Sequence, residues 1–524
     1  VIPSICSSIL SVCYLFYHFA NQRTESEQLA QQSAQSVYDR HATYYLALLE
    51  GWRPGIEAER AFRQTIQLEL ANVESAWDWA LGNDLVTRLP YAVNGLAEFY
   101  EFINAHHAAE AIFQRSIAQV RTRLATTGAA SQHDVSLQQL LAALLARLAY
   151  VYAQSLGQPQ QALPIGEEAL ALAETLDNAA VAAFSCFVLQ LASNWVYRYD
   201  SKLAFAEKGL ALAQAHGLVR EEALLLAGSG LHAQLRGDYV IGINALTRSI
   251  ELAQQINDAR FEQMVRTSLG ITYRVMGNFA QAAHCFAENL PLLRQNDNQY
   301  QIAGVMASLG VLHLLLGDYP SSAVYLDEAT QLFTTLGEKR LVAECLVVLG
   351  WHCVQTGDNA RALTYCQQAL TQVVSDEEQQ MAWLALGDAQ LNRGDLDAAQ
   401  AAFRQAVTIG QRGSGGLAER WQAQAGLAAV LLAQNDKKAA LAAVNELLLQ
   451  FDPAQPDGWQ CPQRLLLTCY RVLAANHDPR ATLVLQQAWE IVQSQAEKIN
   501  DPALRTSFFT NVPVNRALGL LIDA

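Results

Sequence analysis

The residues best equipped for chemistry are few and scattered. Cys345, Cys353 and Cys366 follow one another closely, yet nine Cys make an odd count and none stands in a C-x-x-C pair. Zinc sites and disulfide frameworks need tighter, paired spacings. A free thiol packs as a small hydrophobe, and Cys345 falls at 40-residue steps from Val265 and Val305, so these positions read as apolar wall. His106-His107 could hold a metal or pass protons, but the pair sits at an expected turn and reads as solvated. Asp376-Glu377-Glu378 reads as the exposed start of a helix, where negative charge suits the dipole. No G-x-S-x-G, H-E-x-x-H or G-x-x-x-x-G-K-[ST] occurs, so no nucleophile elbow, zincin helix or P-loop is expected. The sequence therefore predicts no catalytic residue, cofactor or metal. With 35 Lys and Arg against 50 Asp and Glu, a net charge of −15 and no basic stripe, the chain lacks the footprint of phosphate-backbone binding.

What positions the remaining residues is a repeat. Gly157, Tyr197, Gly237, Gly277, Gly317 and Gly357 stand 40 apart, and the column continues at Gly394, Asn435 and Asn476. Seven residues upstream lie Gly230, Gly270, Gly310, Gly350 and Gly387, four of them preceded by Leu. Downstream come an aromatic or apolar residue, then a small one (Ala282, Ser322, Ala362, Ala399), then a large one (Leu246, Phe286, Leu326, Phe403). Gly-Asp or Gly-Asn between apolar-periodic runs is a helix stop followed by a start, with Gly as C-cap and Asp238, Asp318, Asp358 or Asp395 as the next N-cap. Each unit is thus two antiparallel helices, and a fixed period of this length means that units stack. Strand signals are nearly absent. The predicted fold is all-α, a right-handed α-solenoid of about nine to ten hairpins.

These columns resemble the tetratricopeptide repeat (TPR). The resemblance is plainest at Leu269-Gly270, Tyr273, Gly277-Asn278-Phe279, Ala282, Phe286 and at Trp383, Leu386-Gly387, Gly394-Asp395, Ala399, Phe403, Ala406. The Tyr197 unit departs from it with Lys202 at the small-residue site, and the Gly357 unit with Cys366 at the large one, so both read as degenerate. Two further blocks, R-H-A-T-Y-Y-L-A-L (Arg40 to Leu48) and E-L-A-N-V-E-S-A-W-D-W-A-L (Glu69 to Leu81), resemble the segment after the winged helix in bacterial STAND regulators, the NTPase-containing relatives of LuxR-type activators. Ile499 to Arg516 resembles the C-terminal cap of such arrays. The resemblance implies the sensor arm of a cytoplasmic transcriptional regulator, with an NTPase module upstream of Val1. Its alternative is a free-standing adaptor joining two proteins.

The division expected is residues 1–37 as an apolar helix and linker left from a winged-helix module, 38–139 as a helical cap, 140–495 as the array and 496–524 as a C-terminal cap. Val1 to Ala20 carries no charged residue and could alternatively touch a membrane. One hairpin is placed between Ala92 and Arg121, turning near Asn104 to His107, and Leu70, Val73, Trp77 and Leu81 form one helical stripe. Breaks are read at Thr126 to Asp134, Gln411 to Gly416 and Asp452 to Gly458. Stacked hairpins curve, and the first helix of each lines the inner surface. Residues just after the Leu-Gly pair should point there: Leu231, Gln234, Leu235, Ile271, Arg274, Val275, Val311, Leu314, Leu315, Trp351, Val354 and Gln355. This mostly apolar strip suits a protein or peptide segment, or a small effector, with Trp351 and Arg274 as its anchors.

Overall fold

The computed structural model describes residues 24–126, 132–195, 199–295, 298–372, 376–411, 417–450 and 461–524. Val1 to Ala20, Tyr197, the break expected at Asp452 to Gly458 and most of those expected at Thr126 to Asp134 and Gln411 to Gly416 lie outside the described residues, as do the side chains of Lys202 and Leu235, while Gln132 to Asp134 already belong to a helix. Among the described residues there are 24 α-helices and no strand. They run α1 Thr24–Glu50, α2 Ile56–Gly82, a 3-10 turn Asp84–Arg88, α3 Leu89–Phe102, α4 His106–Thr126, α5 Gln132–Tyr150, α6 Pro159–Thr175, α7 Ala179–Trp195 and α8 Tyr199–Ala215. Then follow α9 Val219–Arg236, α10 Tyr239–Gln255, α11 Ala259–Val275, α12 Phe279–Gln295, α13 Gln299–Leu315, α14 Tyr319–Leu336, α15 Lys339–Thr356 and α16 Asn359–Leu370. The last are α17 Asp376–Asn392, α18 Leu396–Gln411, α19 Leu417–Ala433, α20 Lys437–Gln450, α21 Pro462–Ala475, α22 Ala481–Glu497, α23 Pro502–Thr510 and α24 Pro513–Ile522.

The repeated Gly does what its spacing predicts. Gly317 and Gly357 take φ of 75° and 87°, and Asn435 holds the same left-handed turn at 64°. In the last unit the turn slips by one residue: His477, not Asn476, is left-handed, at 56°. After the turns, Asp318, Asp358 and Asp395 accept from the backbone N–H three residues on, at 3.3, 3.1 and 3.3 Å. Asp238 instead faces Arg236 at 3.5 Å. The upstream Gly is a seat for the large residue of the second helix. A Cβ on Gly310 would lie 2.6 Å from Leu326, and one on Gly387 2.6 Å from Phe403. Cys366 fills the same seat on Gly350 at 2.6 Å, so this unit, read as degenerate from sequence, keeps the hairpin geometry with a smaller wedge. Burial pushes the Cys345 and Cys366 thiols up to about 12, which leaves them as packed thiols.

The acidic run does open a helix at Asp376, but Glu378 is not solvated. Glu378 is buried and receives Arg340 Nη1 at 3.1 Å, because the first turn of α17 packs on the start of α15. Among the His pair, His107 is exposed while His106 Nδ1 lies 3.7 Å from Glu101.

The chain divides into two compact units, one of Val1–Leu225 with Leu252–Arg260, the other of Leu226–Glu251 with Phe261–Ala524. In the first, Val73, Trp77 and Leu81 are buried as one stripe of α2, and Trp77 Nε1 donates to Ser116 Oγ on α4 at 2.9 Å. The α3–α4 hairpin turns where expected, with Asn104 left-handed. Residues Asp134–Ser155 are long and apolar enough to cross a bilayer, but two-thirds of that stretch is buried inside the protein, as a core helix requires. The same unit buries an ionic knot. Glu98 on α3 accepts from Arg220 Nη2 at 2.8 Å and Arg147 Nη1 at 3.3 Å, with Arg260 at 4.0 Å. Arg147 also bonds Asn94 at 2.8 Å and lies over Phe184, while Arg220 lies over Trp52 and Arg260 over Phe102.

In the second unit the array returns on itself. Phe279, at the start of α12, packs against Phe508 on α23 with ring centres 5.9 Å apart and planes tilted by 58°, and both belong to one apolar core that also holds Phe286, Leu309, Val472 and Val512. Three polar contacts accompany it. Tyr319 Oη donates to the Asn511 carbonyl at 3.1 Å, Asn511 Nδ2 to the Gly317 carbonyl at 3.1 Å, and Ala280 N–H to the Lys498 carbonyl at 3.3 Å.

Candidate functional site

The inner faces of the second unit's first helices surround a cavity of about 270 Å³. Leu314 and Leu315 come from α13, Trp351, Val354 and Gln355 from α15, and Asp388, Leu391 and Asn392 from α17. The 3- and 4-residue steps place them on one face of each helix. Helix α19 adds Gln422, Ala425, Gly426 and Ala429, and α21 adds Gln463, Arg464, Leu467, Thr468 and Arg471. The C-terminal return closes one side with Gln495, Phe508, Val512 and Val514. The concave strip expected from sequence is thus a chamber, because the last helices fold against the turns at Gly277 and Gly317.

Five of the twelve predicted groove residues, Leu314, Leu315, Trp351, Val354 and Gln355, line this cavity. Apart from Leu235, whose side chain lies outside the described residues, the others are not on its wall. Gln234 accepts from Thr272 Oγ1 at 3.0 Å within the helix layer, and Ile271 packs on the apolar core. Leu231, Val275 and Val311 are half-buried and outside the cavity wall. Arg274 is buried beside it, near enough to the lining Cys461 for their charges to interact. Reading the Leu-Gly column one unit further would have found Asp388, Leu391 and Asn392, which follow Gly387 as Trp351, Val354 and Gln355 follow Gly350. No comparable signal marks Arg464 or Phe508, since α21 carries no Leu-Gly pair and α23 falls outside the period.

The wall is apolar with polar groups left over. Arg464 pairs with Asp388 and lies 5.8 Å from the centre of the Trp351 ring. Burial pushes the Asp388 carboxyl up, against the pull of Arg464. Gln463 Nε2 donates to Gln495 and Asn515, each at 3.4 Å. Its Oε1 has no partner, and neither do Gln422 Oε1 or Trp351 Nε1, although all three atoms are buried. Nor do Arg274 Nε and Nη1, and burial pulls that guanidinium down to about 10. An unsatisfied buried polar group costs roughly 1–3 kcal/mol, and water or an occupant of the cavity can supply the missing partners. Nucleophile and base do not meet here: burial pushes Cys461 up to about 11, and the lining carboxylate is engaged by Arg464.

Residues 347–416 and 384–456 match the tetratricopeptide-repeat family model. Among solved structures, NprR in complex with its cognate peptide NprX aligns with a TM-score of 0.47 and 14% identity, over 66% of this chain and 98% of that one. The Rap protein complexed with competence and sporulation factor aligns at 0.45 and 14%, over 66% and 99%. Yeast Tom70 aligns at 0.37 and 12%, over 92% and 96%. No curated protein matches the chain in sequence.

Proposed function

We propose, for a chain that carries tetratricopeptide repeats in an all-α array, that it is a non-catalytic binding scaffold whose second unit captures a peptide segment or small effector. The carrying observation is the cavity with Trp351 on its wall and buried hydrogen-bonding atoms left without partners. Pockets that hold ligands are mostly apolar with a few fixed polar groups, and this one has that composition. Trp351→Ala removes a large apolar surface and an N–H donor together. It is expected to weaken capture of a partner recovered with the full chain by at least about tenfold, equivalent to about 1.4 kcal/mol, with helix content by circular dichroism unchanged. Undiminished capture would count against the assignment.

The finer reading is that this scaffold is the sensor arm of a STAND-type transcriptional regulator, whose occupancy alters docking on an NTPase module. The blocks at Arg40 to Leu48 and Glu69 to Leu81, which resemble the segment after the winged helix in such regulators, support it. Free, buried thiols such as Cys186 and Cys469 suit a reducing, cytoplasmic setting. An in-frame P-loop encoded ahead of Val1 supports the regulator, and a complete reading frame without one favours the adaptor.

A further inference from the structure

In the first unit, Phe102 at the end of α3 carries two guanidiniums at once. Arg63 of α2 and Arg260 of α11 each place Cζ 4.8 Å from its ring centre, so the two positive groups lie at most twice that distance apart. Neither makes a hydrogen bond to the protein among the described residues, and Arg63 has no ion pair there. The nearest carboxylate to Arg260 is Glu98, at 4.0 Å, and it already accepts from Arg147 and Arg220. Asp258 is turned to Arg220 at 3.5 Å, and Glu101 accepts from Ser155 at 3.2 Å. Four guanidiniums thus share Glu98 and Asp258, in a chain of net charge −15. Arg147 and Arg220 are held in the fold by hydrogen bonds, whereas Arg63 and Arg260 are not, and both are half-buried rather than sealed. The repeat itself contributes: Arg220 and Arg260 stand one period apart, each at the second residue of its helix, α9 and α11.

An arginine laid on an aromatic ring keeps its forked N–H edge free and pre-oriented. One carboxylate, with two oxygens, is filled by one such fork. Two forks from different helices call for an anion with more oxygens, and a phosphoryl group has them. A nucleic-acid backbone would need a longer basic track, which the sequence lacks.

We infer that Arg63 and Arg260, set on Phe102, form an oxyanion site for a small phosphorylated molecule. None of these residues lines the cavity described above, and the inference does not rest on the function proposed for it. Each guanidinium donates its N–H fork to phosphoryl oxygens, while Glu98 keeps Arg147 and Arg220 as the fixed base of the site. The phosphoryl group arrives free, as an ester or as a diphosphate; the chemistry recognised is the same.

The test titrates the full chain with inorganic phosphate, pyrophosphate, glycerol phosphate and succinate, by isothermal titration calorimetry in a phosphate-free buffer of fixed ionic strength. At least one phosphate probe is expected to saturate a single site and to bind about tenfold or more tightly than succinate, a dicarboxylate. The probe that binds most tightly identifies the form in which the phosphoryl group arrives. Arg63→Gln and Arg260→Gln should each weaken it about 10- to 100-fold, the range of a charge-assisted hydrogen bond. Arg63→Lys keeps the charge but loses the fork, and should weaken it too. Arg121→Gln, in an exposed pair with Glu168, should change nothing. Circular dichroism checks that each variant folds, and the three substitutions are independent, so one that fails to fold leaves two to decide. Binding of no phosphate probe, equal affinity for succinate, or phosphate binding that survives both glutamine substitutions would overturn the site. Undiminished binding in Arg63→Lys would overturn recognition by the fork and leave only diffuse attraction.

Discussion

The two units close their helical layers by opposite means. In the first, side chains far apart in sequence meet as charges, Glu98 drawing in Arg147, Arg220 and Arg260, with the guanidiniums also covered by Phe184, Trp52 and Phe102. In the second, closure is made by apolar contact, Phe279 on Phe508, with thin polar support from Asn511 and Tyr319. A saturated ionic knot leaves Glu98 nothing to offer an outside molecule. An apolar closure walls one side of a cavity but leaves Trp351 Nε1, Gln422 Oε1, Gln463 Oε1 and Arg274 Nε and Nη1 without partners.

The sharpest way to break this contrast is Glu98→Gln. It leaves Arg147 and Arg260 facing a neutral amide, while Arg220 keeps Asp258 at 3.5 Å, and losing one partner of a buried ion pair costs about 3–5 kcal/mol. Urea denaturation should show that loss in the first unit, and a change below about 1 kcal/mol would mean that the knot is solvated and ordinary.

Acid should separate the units as well. Burial pushes the Glu98 carboxyl up, but Arg220, Arg147 and Arg260 outweigh it and bring it down to about 2, below its ordinary 4.5. A depressed carboxyl stabilises fully above its unfolded value, so this contribution fades as pH falls from about 4.5 towards about 2. Asp388 is raised, so its effect has the other sign: it favours the fold at low pH and is lost as pH rises through its folded value. Denaturation midpoints from pH 6 down to pH 2 should therefore fall less steeply in Glu98→Gln than in the unaltered chain, and parallel curves would refute the assignment.

A smaller effect sharpens the second unit's side. Ala362 is fully buried where α16 approaches α15, and Ala362→Leu should cost about 1–3 kcal/mol by overpacking. A neutral result would mean that the hairpin has slack. Smallest is Asn511→Ala, which removes the bond to the Gly317 carbonyl. It should cost about 0.5–1.5 kcal/mol and quicken hydrogen exchange in α23 and α24, where unchanged exchange would show that the apolar contacts alone hold the closure.

Much of this was legible in one dimension. The Gly turns, the Asp caps and the Gly310–Leu326 seat follow from neighbours within one hairpin, where steric rules act over a few residues. The slip to His477 and the burial of Glu378 were not legible, since each depends on how one element meets another. Of the strip expected from sequence, Trp351, Val354 and Gln355 line the cavity because helical spacing fixes their face, while Leu231 and Ile271 lie outside its wall because equal register does not mean equal curvature.

The sequence alone determined the hairpin: its period, its caps, its wedge and the face of each first helix, all set by local backbone sterics and side-chain size. Only the tertiary structure decided that α23 returns to α12 and turns an open strip into a cavity. It alone also decided that Arg274 ends without a counter-ion while Glu98 has three. Those outcomes hang on contacts between residues far apart in sequence, from 49 positions for Glu98 and Arg147 upwards, where the summed small rotations of successive units, rather than any residue type, fix who meets whom.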